Sequence, residues 1–315
     1  MRTRTDEHLA LMTVHHIVSD GWSMGVLIRE LGLLYPIMTR TARAQLPPLT
    51  AQYSDFAEWQ RACLSGGALE VHLQYWRRQL SGVTPLDLQT DRPRPRDLTF
   101  GGATVTLILS EELSTSLRAI SARQGATLFM TLLAALQGVL SHYTGQDDIV
   151  IGSPIAARGR PEFEDLIGFF INMIVLRGDL SGSPGFLELL GRVRQTTLDA
   201  YEHDVPLEQL VQYLQPDRDL SRQPLFQVSF SFENVPQERL SLGGLSVEPV
   251  GFESGTTRFE LELHAHDNTE QLFFALLYNS DLFDETTIRR LLNHFQNLLR
   301  EAMARPSRPV AHLAL

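Results

Sequence analysis

Residues 91–96 read Asp91-Arg92-Pro93-Arg94-Pro95-Arg96. Two prolines and three arginines in six residues cannot continue a helix or sit in a central strand, because each proline lacks an N–H and biases the residue before it toward extended backbone. This extended linker divides the chain into 1–92 and 93–315. Before it, His8 to Ile17 is apolar and β-compatible and reads as a strand. Helical spacing follows over 22–40, 53–64 and 69–80. After it the pattern begins again. Strands are expected at 102–109, 148–153, 169–176, 225–233, 258–266 and 271–279. Helices are expected from Ser110-Glu111-Glu112, over 128–143 and 185–203, after Pro206, and over 284–304. Helices and strands are intermixed throughout, so the fold class is α/β or α+β.

Bulk properties narrow the function. The 315 residues carry a net charge of -10, which argues against a nucleic-acid partner, since such binding runs on clustered Lys and Arg. Cys63 is the single cysteine, so no intrachain disulfide forms. No apolar run reaches the roughly 18 residues of a membrane helix, and no signal-type stretch follows Met1. The reading is therefore a cytoplasmic protein with no membrane partner.

The chemistry concentrates in His15-His16-Ile17-Val18-Ser19-Asp20-Gly21-Trp22-Ser23. A histidine exchanges protons near neutrality. On a strand, His15 and His16 face opposite sides, so one of them points at substrate. Asp20 is placed to fix the local geometry, and Gly21 allows close approach of a ligand to the backbone. Ser19 and Ser23 have no evident triad, which favours direct attack by an acceptor held near the histidine.

The string His15 to Ser23 resembles the active-site signature of the condensation domains of nonribosomal peptide synthetases. Four further segments are similar to that family's motifs: Tyr53 to Trp59; Ile167 to Asn172, ending in Arg177; His203 to Val211; and Arg218 to Gln227. The resemblance implies two chloramphenicol-acetyltransferase-like lobes, the first incomplete. Members are longer and place the histidine motif much farther along, so the expectation is an N-terminally truncated fragment: 1–92 as the remnant of the first lobe and 93–315 as the second.

The resemblance also implies amide formation between a donor aminoacyl or peptidyl thioester and the amino group of an acceptor aminoacyl thioester. Both ride on phosphopantetheine arms of upstream and downstream carrier domains, with a possible adjacent adenylation domain, and no cofactor is bound by this domain itself. His16 is the implied catalytic residue, with His15, Asp20 and Gly21 around it. Ser23, Asn172 and Asn234 are substrate-channel candidates. The arginine partner of Asp20 is expected to lie outside the chain, with Arg177 as an in-chain candidate. Two other readings stand beside this one: a non-catalytic remnant that at most docks a carrier, and a free-standing acyltransferase using coenzyme A. His264 and His266 share a strand face, which permits metal binding in principle, but no third ligand has suitable spacing, and a solvated face is the simpler reading.

Overall fold

The computed structural model describes residues 1–39, 45–216, 219–233, 240, 242–248, 250–251 and 254–315. The chain forms two compact units, each discontinuous in sequence. The larger comprises Leu64–Ile155, Asn172–Asn234 and Gly251–Leu315, and the smaller Met1–Cys63, Ala156–Ile171 and Val235–Val250.

The larger unit is built on a six-stranded sheet in the order β1-β6-β5-β4-β2-β3. Its strands are β1 (Gly102–Ile108), β2 (Asp148–Ala156), β3 (Ile171–Asp179), β4 (Val228–Glu233), β5 (Leu261–Asp267) and β6 (Leu272–Asn279). The β1–β6 and β6–β5 pairs are antiparallel, and β5–β4 and β4–β2 are parallel, so the sheet is mixed. The helices are α3 (Gly67–Gln79), α4 (Glu111–Arg123), α5 (Leu128–Thr144), α6 (Phe186–Glu202), α7 (Leu207–Leu214) and α8 (Glu285–Ala304). In α5 every residue from Met130 to Leu140 is buried, as expected of a helix that is apolar on nearly all sides. It packs against α4, α6 and α8 at the centre of the main core. No single described helix is long and apolar enough to cross a membrane.

The smaller unit holds α1 (Gly21–Met38) and α2 (Tyr53–Cys63). Its core is small: Ala51, Phe56, Phe163, Leu166 and Phe170, with Trp59 packed on them.

Three expectations change. The strand expected over 8–17 is absent. Residues 9–15 follow no regular structure and His16–Val18 form a single 3₁₀ turn. A strand needs a neighbour for its N–H and C=O groups, and among the described residues only Met1 and Arg2 lie alongside this run, pairing with His8 and Leu9 at its start and leaving the rest unpaired. The division at residue 92 also differs. Helix α3 lies within the larger unit, where Leu73, Trp76 and Leu80 join the main core and the Trp76 indole donates to the His203 carbonyl at 2.7 Å. The arginine-proline segment is a strap rather than a free linker. Arg92 pairs with Asp284, and Arg94 makes a two-pronged bond to the buried Glu260 at 2.7 and 3.0 Å. Asp91 accepts from the Asp284 N–H at 2.8 Å and from the Thr287 hydroxyl at 2.9 Å, at the start of α8.

Candidate active site

Asp20 caps α1. Its Oδ1 accepts from the Ser23 N–H at 2.8 Å, the N-cap bond that satisfies an orphan donor of the first turn. The same oxygen lies 2.7 Å from Ser23 Oγ and 3.1 Å from Arg158 Nη2, and Oδ2 accepts from the Phe170 N–H at 3.0 Å. Asp20 and Arg158 are each about 4% exposed as side chains, a buried ion pair. Arg177, the expected in-chain partner, is committed elsewhere: it holds Asp148 at 2.7 and 2.8 Å. The true partner, Arg158, is within the chain, on the segment that follows β2.

Arg158 is held through its two terminal nitrogens, while its buried Nε makes no hydrogen bond. Nη1 donates to the Phe163 and Leu166 carbonyls at 2.5 and 2.9 Å, and Nη2 also donates to Ser23 Oγ at 2.9 Å. The guanidinium stacks on the Phe170 ring at 3.8 Å from its centroid. Burial works against charge on Asp20, but the Ser23 and Phe170 hydrogen bonds and the Arg158 charge outweigh it. The carboxyl therefore sits below its ordinary value.

Ser23 is fully buried. Its hydroxyl accepts from Arg158 and from the Gly168 N–H at 3.1 Å, and its one proton goes to Asp20 or to the Gly168 carbonyl 2.9 Å away. It is a strut of this network and presents nothing to a substrate, contrary to the channel role expected of it. Gly168 explains its own identity: a Cβ there would lie 2.3 Å from the Tyr53 ring. That ring packs edge-on to Phe170, and its hydroxyl donates to the Phe169 carbonyl at 2.7 Å. So the histidine segment, the Tyr53–Trp59 helix and the Ile167–Phe170 segment converge on one buried cluster.

His16 stands at the edge of that cluster and is exposed. Its Nδ1 lies 2.8 Å from the Ser19 carbonyl, and its ring packs edge-on against Phe169 at 5.3 Å. A carbonyl only accepts, so the neutral ring carries its proton on Nδ1 and leaves the lone pair on Nε2. His15 is turned back on its own backbone, where Nδ1 accepts from the Ile17 N–H at 3.1 Å. A tight turn, not strand alternation, gives the two rings different tasks. The N–H groups of Gly21 and Trp22, first in α1, have no acceptor among the described residues, and a Cβ at Gly21 would meet nothing within 4 Å. This leaves a histidine nitrogen and two free helix-end donors on one short segment, the set of groups that acyl transfer uses for its proton and its oxyanion.

Asn172 lies in the larger unit with its amide fully engaged. Nδ2 donates to Asp204 Oδ1 at 2.6 Å and to the Val205 carbonyl at 2.8 Å, and Oδ1 accepts from the Leu207 N–H at 3.1 Å. It fastens the turn that enters α7. Burial pushes the Asp204 carboxyl up, against the Asn172 bond. Asn234 and Arg218 lie outside the described residues. Among the described residues no group of three or more His, Cys, Asp or Glu could hold a metal ion.

The mixed sheet and this histidine–aspartate–arginine arrangement mark the class of domain to which the chain belongs. The sequence model of the condensation domain matches residues 1–315, and the chain belongs to that family. It is 45% identical over 318 residues to one of the linear gramicidin synthase proteins of Brevibacillus parabrevis, covering 99% of this chain and 6% of that protein. It is 44% identical over 313 residues to malpinin synthetase of Mortierella alpina, covering 99% of this chain and 4% of that protein. The chain thus spans a small part of these relatives. Among solved structures, it is similar to the X-domain from teicoplanin biosynthesis, with TM-score 0.85, 28% identity, and 96% of this chain and 70% of that one covered. The first condensation domain of the CDA synthetase shares the fold, with TM-score 0.77, 22% identity, and 96% and 66% covered.

Proposed function

We propose that the chain is the amide-forming condensation domain of a nonribosomal peptide synthetase. The donor is an aminoacyl or peptidyl thioester on the phosphopantetheine arm of an upstream carrier domain. The acceptor is the amino group of an aminoacyl thioester on a downstream carrier, and an adenylation domain adjoins within the same assembly. The observation that carries this reading is His16: an exposed ring, anchored through Nδ1, with its Nε2 lone pair free.

The chemistry follows from magnitudes. An α-amine has a pKa of about 7.7–8.0, so a useful fraction is already neutral at pH 7. A general base adds about 10²–10⁴-fold, whereas holding amine and thioester together gives effective concentrations of order 10⁵ M or more. Positioning therefore dominates. His16 Nε2 accepts a hydrogen bond from the attacking amine and takes its proton as the tetrahedral intermediate forms. The Gly21 and Trp22 N–H groups face the developing oxyanion. The C–N bond forms, the C–S bond breaks, and the thiol leaves with a proton. Asp20 and Arg158 act by holding the turn that carries His16. His16→Ala, assayed with carrier-bound donor and acceptor, is expected to lose about a hundredfold or more of amide product. Full condensation by that variant would overturn the assignment.

A further inference from the structure

The histidine face of β5 carries a second constellation, inside the larger unit. In the parallel β4–β5 pair, Ser229 stands opposite Glu262, Ser231 opposite His264 and Glu233 opposite His266. Ser231 Oγ lies 2.7 Å from His264 Nδ1, and His264 Nε2 lies 4.0 Å from Glu262 Oε2. On the same face β6 supplies Leu277, Ala275 and Phe273, opposite Glu262, His264 and His266 and only partly buried.

The charges fix the tautomer. Glu262 is 2% exposed as a side chain. Burial opposes its charge, but the Arg258 N–H at 2.6 Å, the Thr257 hydroxyl at 2.8 Å and the Arg258 guanidinium outweigh this and keep it ionised. An anion beside Nε2 holds the proton there. Nδ1 then keeps its lone pair and accepts from the Ser231 hydroxyl. Burial also holds the His264 ring below the ordinary histidine range, against the pull of Glu262 and Glu233, so the ring is neutral near pH 7. A serine hydrogen-bonded to a neutral histidine, with an ionised carboxylate 4.0 Å from the far ring nitrogen, supplies the parts of an activated nucleophile.

We propose that Ser231 and His264 form a nucleophile–base pair, with the Glu262 carboxylate facing the far ring nitrogen, that accepts an acyl group from a thioester, with the apolar strip of β6 receiving the acyl chain. Ser231 Oγ attacks the carbonyl carbon while its proton passes to Nδ1. The C–S bond breaks, and the thiol leaves with that proton. Water then attacks the serine ester, giving its proton to Nδ1, which returns it to Oγ as the C–O bond to the serine breaks. The net reaction is hydrolysis of the thioester to an acid and a thiol, which removes an acyl chain from its carrier instead of extending it.

The test uses the full chain carrying His16→Ala, so that the first site contributes nothing. The probe is the butyryl thioester of N-acetylcysteamine. Thiol release is followed by colour, and acid-quenched samples are mapped by mass spectrometry. A butyryl adduct on the peptide bearing Ser231 is expected, absent in Ser231→Ala and formed about a hundredfold or more slowly in His264→Phe. No adduct at Ser231, or one indifferent to His264→Phe, overturns the proposal. Should His264→Phe fail to fold, the nitrogen shifts of His264 in the unaltered chain decide: a proton on Nε2 supports the pair, and a proton on Nδ1 overturns it.

Discussion

Arg158 and Asp20 neutralise each other where water does not reach. Removing one partner leaves the other uncompensated, which costs about 3–5 kcal/mol. Arg158→Met is therefore expected to destabilise the smaller unit by an amount in that range, read as a lowered urea midpoint. The pair also sets an acid limb. Asp20 has a folded pKa below its ordinary 3.8, so its contribution is complete above that value and is lost as pH falls through the lower folded value. A stability–pH series should show a shallower acid limb in Asp20→Asn than in the unaltered protein. Gly168 tests the packing around the pair. Gly168→Ala forces the Tyr53 ring aside, an overpacking cost of about 1–3 kcal/mol, and Gly168→Ala combined with Tyr53→Leu should recover part of it in a double-mutant cycle.

At the scale of elements, the strap and α8 give the clearest prediction. Asp284, the N-cap of α8, makes no side-chain cap bond, and the carboxylate of Asp91 meets that helix end instead. Asp91→Ala should cost about 0.5–2 kcal/mol, the range of a lost cap, read as a lowered thermal midpoint. These elements also show what periodicity can and cannot reveal. Every α-helix and strand described after residue 20 was legible because burial imposes a repeat on the residues that make it, whereas the short 3₁₀ turns at Pro161–Phe163 and Val310–His312 carry no such repeat. Ser110 was legible as the cap of α4, and its hydroxyl does accept from the Leu113 N–H. The run 8–17 misled because an apolar β-compatible string says nothing about whether a neighbour exists to pair with it. Arg158 was illegible for a related reason. It sits in Ala157-Arg158-Gly159-Arg160, where nothing periodic marks one arginine above another, and only three-dimensional closure brings it to Asp20. The demand for a cation was readable from Asp20, but its address was not.

For the whole molecule, the two cores are unequal. The main core runs through the sheet and the helices packed on it, while the smaller unit rests on a few buried apolar side chains and the buried Asp20–Arg158 network. Local stability follows buried contact. Hydrogen exchange should therefore find amides of α5 protected to the level of global unfolding and those of α1 at least tenfold less protected. Equal protection in both would contradict this division.

The Asp20–Arg158 pair joins residues 138 apart in sequence, and this gives the site a place in time. A chain made at about 5–20 residues per second reaches Arg158 roughly 7–30 s after Asp20. Through that interval the histidine turn exists without the groups that hold it. The histidine motif is thus completed only after the β2 strand has been made, so synthesis itself keeps the turn that carries His16 unassembled until part of the sheet's scaffold can begin to form.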